Sequence, residues 1–190
     1  MKKNIKVIII HGSYGSPEGN WFPWLSKELE ARGLETARPK LPTPGGQKLQ
    51  NWLKEFKIQV GAINSNSILV GHSLSPAFIL HLVQSLDHSI FGTFLVAPFI
   101  RLLNLQEFDK VNISFVQGPF DWEKIKKNMG TIKIYASDND PYVPFEAVRE
   151  IADKLGVDIT LIKGAGHINE SSGYTKFPLI RDDILSLVSS

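Results

Sequence analysis

One serine, one histidine and a pair of aspartates in this chain have the types and the order that acyl-transfer chemistry requires. Ser73 lies in Gly71-His72-Ser73-Leu74-Ser75, directly after the apolar run Ile68-Leu69-Val70 and before a helical pattern. A serine at the apex of a strand–turn–helix forms an elbow of the G-x-S-x-G type. Such a turn strains the serine backbone and lifts Oγ above the strand ends. It also aims a helix N-terminus at a developing oxyanion. On this segment alone Ser73 serves equally well as an ordinary helix cap. Ser75 departs from the motif, because glycine normally stands there. Serine is small, but its Cβ must fit against a neighbouring strand.

A serine hydroxyl needs a base, and the base needs an orienting acid. His167 follows the last apolar run in Gly164-Ala165-Gly166-His167, where small residues suit a tight loop over a strand end. His11 ends the first run, His72 sits inside the elbow, and His81 and His88 belong to a helix and its exit. Two acids follow the fifth run, in Asp138-Asn139-Asp140-Pro141-Tyr142-Val143-Pro144. One can accept the Nδ1–H of His167 while the other caps a turn. These residues alone leave both open.

The elements that must position these groups alternate between two patterns. Strand-like runs are Ile5–Ile10, Glu35–Pro39, Ser67–Val70, Thr93–Ala97, Thr131–Tyr135 and Asp158–Ile162. Helical stripes occupy Phe22–Arg32, Gln47–Ile63, Ser75–Leu86, Pro144–Leu155 and Phe177–Val188. The runs show little period-2 alternation, as strands covered on both faces do, and the alternation with helices predicts a parallel α/β sheet. One link is long. From Phe99 to Gly130 a single short helix is expected, Asp121–Met129, and the segment is rich in aromatics. Long connections inside compact domains are usually functional, so 99–130 is read as a short lid, with Phe120 and Trp122 facing the substrate.

The whole chain of 190 residues reads as one domain. It has 43% hydrophobic and 21% charged residues and a net charge of +2, which gives no reason to expect nucleic acid as a partner. With no cysteine, disulfides, thiolate metal sites, cysteine-bound clusters and cysteine nucleophiles are excluded. No membrane span is visible. Lys2 and Lys3 precede the apolar run Ile5–Ile10, but that run is too short for a signal core and has no small-residue cleavage site. A buried first strand, a cytoplasmic location and a monomer or weak homodimer are the defaults. Gly12, Gly15 and Gly19 lack the G-x-G-x-x-G spacing of a dinucleotide loop, and no P-loop follows the first strand. Trp21, Phe22 and Trp24 are expected in helix core, with Tyr14 and Trp21 also candidates for a pocket mouth. Lys124, Lys126 and Lys127 read as a solvated helix face.

Ser…Asp…His, together with His11-Gly12, Gly71-His72-Ser73-Leu74, Asp140-Pro141-Tyr142-Val143-Pro144 and Gly166-His167, resembles the landmarks of the α/β-hydrolase superfamily. The short length resembles its small serine-hydrolase branch, which includes a bacterial YdeN-like group and the animal retinoblastoma-binding serine hydrolases. The similarity covers nearly the whole chain. It implies a six-stranded parallel sheet in the order 2-1-3-4-5-6 with helices on both faces. The family pattern of acid followed by Val-Pro selects Asp140 over Asp138. The resemblance also implies an oxyanion hole from the N–H groups of Leu74 and Ser13, with Gly12 and Tyr14 as neighbours able to substitute. The expected activity is hydrolysis of an ester, thioester or small amide acyl substrate, with Tyr14, Phe120 and Trp122 at the pocket and no metal or organic cofactor. The competing expectation is the same fold used as a binding module for a protein or ligand, with weak or no turnover; the altered elbow and the family's association with protein partners leave room for it.

Overall fold

The computed structural model describes residues 4–190; residues 1–3, and with them Lys2 and Lys3, lie outside the described residues. The aliphatic runs become six strands: β1 Lys6–Ile10, β2 Glu35–Ala37, β3 Ser67–His72, β4 Gly92–Val96, β5 Thr131–Ser137 and β6 Ile159–Ile162. They pair in parallel throughout, in the order β2-β1-β3-β4-β5-β6. The interior strands β3 and β4 are buried along their whole length, which is why their sequences show no alternation. The edge strands β2 and β6 are short and partly exposed, as edges that must not recruit another chain tend to be.

The helices are α1 Phe22–Glu30, α2 Leu49–Val60, α3 Ser75–Ser85, α4 Gln106–Val116, α5 Trp122–Asn128, α6 Phe145–Leu155 and α7 Pro178–Ser189. The pleat divides each strand between two cores. Ile5, Val7 and Ile9 of the first strand region pack with Phe22, Leu25 and Leu29 of α1 and with Ile180 and Ile184 of α7. Ile8 and Ile10 face the other way, onto Trp52 and Phe56 of α2, Phe78 and Ile79 of α3 and Phe115 of α4. Among the described residues no helix is long and apolar enough to cross a membrane.

Two sequence expectations need correction. The 99–130 segment holds two helices, not one, because α4 spans Gln106–Val116. Its buried side is interrupted by Asn112, so no clean apolar stripe marks it, although Phe108, Val111 and Phe115 carry the i, i+3, i+7 spacing. Helix α2 starts at Leu49 and not at Gln47. Gln47 instead stays in the preceding loop, where its side chain is 4% exposed and fully engaged with neighbours of β1 and α4.

Candidate active site

The elbow is built from close approaches. Ser73 has φ 63°, a left-handed conformation that costs a residue with a Cβ of order 1 kcal/mol or more. It is held there by its N–H, which donates to the carbonyl of Val96 on β4 at 2.9 Å. The turn is crowded on both sides. A Cβ at Gly71 would come within 2.7 Å of Ile79 Cδ1, and one at Gly12 within 2.8 Å of Ser73 Cβ. At Gly12 the backbone carbonyl of His72, at 2.9 Å from such a Cβ, makes glycine a requirement of space alone, whereas at Gly71 the Ile79 side chain would have to turn aside and Pro76 N would stand at 3.0 Å. Pro76 stands in the first turn of α3, where its missing N–H costs no helical bond. Ser75, the departure from the motif, is fully buried. Its Oγ accepts the N–H of His72 at 2.7 Å and donates to the carbonyl of Ile10 at 2.7 Å.

His167 stands on the loop after β6. Its Nδ1 donates to Asp140 Oδ2 at 2.7 Å, and the two side chains are 9% and 3% exposed. Asp140 Oδ1 accepts two backbone N–H groups, from Tyr142 at 2.9 Å and Val143 at 3.0 Å. The carboxylate is thereby fixed in rotation, with one oxygen left for the imidazole. Asp138 points elsewhere and accepts the N–H of Gly164 at 2.7 Å. Ser137 and Asn139 also accept backbone N–H groups of the histidine loop, from Ala165 at 3.0 Å and Gly166 at 2.8 Å. The end of β5 thus fastens the histidine loop at three successive residues.

Two further histidines brace the site in neutral form. His72 lies 4.7 Å from the His167 ring, centroid to centroid. Burial, and secondarily the nearby His167, lowers its pKa to about 3. A carbonyl can only accept, so His72 Nε2–H donates to the carbonyl of His167 at 2.8 Å. His11 is held below its ordinary pKa, chiefly by burial. Its Nε2 accepts the N–H of Leu41 at 3.1 Å, and its Nδ1–H donates to the carbonyl of Gly12 at 2.8 Å. His11 therefore ties the loop after β1 to the loop before α2.

Ser73 and His167 share a cleft of about 210 Å³. Its apolar side is Phe99, Leu103, Leu105 and Phe108 from the 99–130 segment, with Val143. Its rim is a run of rings: Tyr14 on Phe108 at 5.1 Å, Phe108 on Tyr142 at 5.9 Å, and Tyr142 on His167 at 5.1 Å. Tyr14 thus reaches the pocket as the sequence suggests. Trp21 does not: it is fully buried and its Nε1–H donates to the carbonyl of Ile168 at 2.9 Å.

Phe120 and Trp122 are not among the residues that line this cleft. Phe120 stacks on His81 at 4.9 Å and on Trp122 at 5.5 Å, and the N–H of Asp121 donates to Gln84 Oε1 at 3.0 Å. His81 and Gln84 belong to the last turns of α3, whereas Ser73 precedes its first. At 1.5 Å per residue the two ends of α3 are roughly 15 Å apart. The first half of the 99–130 segment faces the cleft and the second half packs at the far end of α3.

Ser13 lines the cleft and Leu74 directly follows Ser73, and among the described residues neither N–H has an acceptor within the chain. The N–H of Tyr14, by contrast, is engaged by Thr43 Oγ1 at 2.6 Å. Asn112, which lines the cleft, and Gln47, bonded behind it, are residues that sequence reasoning misses. Both are buried polar side chains, and Ser13 Oγ donates to Asn112 Oδ1 at 2.5 Å. Among the described residues no group of three or more histidines and carboxylates is placed to hold a metal ion.

Comparison with known proteins adds family and fold. Residues 7–186 match the family described as serine hydrolase. YdeN of Bacillus subtilis is 32% identical over 187 residues, covering 97% of this chain and 96% of that one. The serine hydrolase RBBP9 of Rattus norvegicus is 24% identical over 174 residues, covering 90% and 91%. The crystal structure of the ydeN gene product superposes with a TM-score of 0.89 over 98% of this chain and 100% of that one. Est1E from Butyrivibrio proteoclasticus, 16% identical, shares the fold with a TM-score of 0.71 over 100% and 90%.

Proposed function

The chain belongs to the serine hydrolase family, and on that premise we propose that Ser73, His167 and Asp140 form its catalytic triad and cleave a carboxylic ester, thioester or small amide. The observation that carries the proposal is the contact of His167 Nδ1 with Asp140 Oδ2 at 2.7 Å, in a cleft that also holds Ser73 at the head of α3. Asp140 keeps the proton of His167 on Nδ1, which leaves Nε2 free as the base. His167 takes the proton of Ser73 as Oγ attacks the carbonyl. The N–H groups of Ser13 and Leu74 receive the oxyanion, aided by the positive end of α3. His167 then protonates the leaving group, and water releases the acyl group by the same steps in reverse. Asp140 stabilises the imidazolium throughout. His72, neutral and bonded to the His167 carbonyl, holds the base without adding a competing charge. Residues 99–116 act as the roof of the acyl side, in a single domain spanning 1–190. A fluorophosphonate tests this reading: one label is expected, at Ser73, lost together with esterase turnover in Ser73→Ala. Labelling of another serine with Ser73 untouched would overturn it.

A further inference from the structure

Behind the cleft floor runs a chain of hydrogen bonds. The N–H of Tyr14 can only donate, and it donates to Thr43 Oγ1 at 2.6 Å. Thr43 Oγ1 gives its own proton to Gln47 Oε1 at 2.5 Å. The other terminal atom of Gln47 is then its amide nitrogen, which donates to Asn112 Oδ1 and to Ser13 Oγ, both at 2.8 Å. Ser13 passes its proton to Asn112 Oδ1 at 2.5 Å. Asn112 Oδ1 accepts twice, so the remaining terminal atom of Asn112 is Nδ2, with two N–H groups. Among the described residues nothing accepts from it, although Asn112 is only 2% exposed and lines the cleft. Among the described residues the buried side-chain polar atom without a partner is His88 Nε2 and not Asn112 Nδ2, so the small accessible surface of Asn112 includes this donor, which opens on the cleft.

Two more amides repeat the arrangement on the opposite rim. Asn20 Oδ1 accepts the N–H of Glu170 at 3.0 Å, and Asn169 Oδ1 accepts the N–H of Ser172 at 3.1 Å. Both residues line the cleft, and neither Nδ2 has a partner among the described residues. No Asp, Glu, Lys or Arg lines it. The side-chain amides of this cleft offer donors and keep their acceptors tied up.

We infer that Asn112 is a substrate-binding residue whose Nδ2 donates to an oxygen carried by the acyl group. The cleft then favours keto-, hydroxy- or alkoxy-acyl groups over plain alkyl chains of the same size. This rests on the proposed triad for its orientation. His167 protonates the leaving group, so the leaving group lies on the rim shared by His167, Asn169 and Asn20. Asn112, bonded to Ser13 and on the same helix as Phe108, faces the acyl side.

The test compares p-nitrophenyl methoxyacetate with p-nitrophenyl butyrate, which share a leaving group and an acyl size and differ by one oxygen. The ratio of their kcat/KM values is measured for the native chain, Asn112→Asp and Asn112→Leu. The aspartate still accepts from Ser13 and Gln47 but has no Nδ2, and taking the ratio cancels changes common to both esters. The ratio should fall about three- to tenfold in both variants, the scale of one neutral hydrogen bond. An unchanged ratio would reduce Asn112 to a prop for Ser13 and overturn the inference. A second arm needs no turnover: binding of methoxyacetamide and butyramide to Ser73→Ala, followed by NMR titration, with and without Asn112→Leu. A preference for methoxyacetamide that Asn112→Leu abolishes upholds Asn112 even if the native chain hydrolyses neither ester, in which case it is the triad that fails. Equal binding of the two amides overturns the assignment of Asn112 whatever the turnover.

Discussion

Ser75 ties the elbow to the first strand: its Oγ accepts the His72 N–H and donates to the Ile10 carbonyl, each at 2.7 Å. The carbonyl of His72, at 3.0 Å, is a second acceptor for the same proton. A serine in place of the motif's glycine is therefore not a defect of the turn. It fills the notch between β1 and β3 and satisfies two buried backbone groups. Ser75→Gly, which restores the common motif, should destabilise the fold by about 1–3 kcal/mol, because it strands a buried donor and acceptor. Urea denaturation of the two forms checks this; equal or greater stability of the glycine variant would mean that water replaces the hydroxyl at no cost.

The two aspartates after β5 separate by what they touch. Asp140 bonds His167 and Asp138 bonds the Gly164 N–H. Asp140→Asn should lower kcat by up to about 10⁴-fold, the loss known for a serine protease whose triad acid is replaced, with the melting point nearly unchanged. Asp138→Ala should cost on the order of 1 kcal/mol of stability and little kcat, because only a loop anchor is lost. The reverse pattern would hand the catalytic role to Asp138.

Much of this molecule is legible from its sequence, and the misses share a cause. Six strands and six of the seven described helices are legible, the interior ones most clearly because each buries a continuous run or stripe, and α4 is the one missed. The neighbourhood of Ser73 is legible because the elbow is local: strand, turn and helix are consecutive. Gln47 and Asn112 are not, nor is their meeting with Ser13, since the three come from distant segments and join only when α4 packs over the loop after β1. Nothing in the spacing of buried polar residues marks such a meeting. Phe120 and Trp122 mislead for the opposite reason. Aromatics in a long connection suit a lid, but the length of α3 carries them to the far end of the helix.

That relocation changes where pocket mutations should act. Phe108 lines the cleft and stacks between Tyr14 and Tyr142. Phe108→Ala should widen the acyl side and shift the preference across acetyl, butyryl and octanoyl esters toward longer chains. Phe120→Ala should leave that preference unchanged and cost about 1–2 kcal/mol of stability, as expected for a half-buried ring. A chain-length shift in the Phe120 variant, absent in the Phe108 variant, would place the pocket at the wrong end of α3.

His72 makes the stability of this fold depend on pH in a definite direction. Its pKa falls from the ordinary 6.5 to about 3 in the folded chain, first through burial and then through the neighbouring His167. Between those two values the unfolded chain binds a proton at this residue and the folded chain does not. Stability must therefore rise with pH across that window and drain away as pH falls from 6.5 toward 3. One such group contributes at most about 1.4 kcal/mol per pH unit, and on the order of several kcal/mol across the window. His11 and His81 are also held below their ordinary pKa by burial, so they add to the same slope with the same sign. His72→Gln isolates one share. A glutamine amide can still donate to the His167 carbonyl but does not titrate. Urea unfolding at pH 4, 5, 6 and 7 should show a shallower pH dependence for the variant, by about one proton, with stability at pH 7 reduced only by the imperfect fit of the new side chain. An identical slope in both proteins would mean that His72 is protonated as readily folded as unfolded. That would remove the reason for treating it as a neutral brace beside His167.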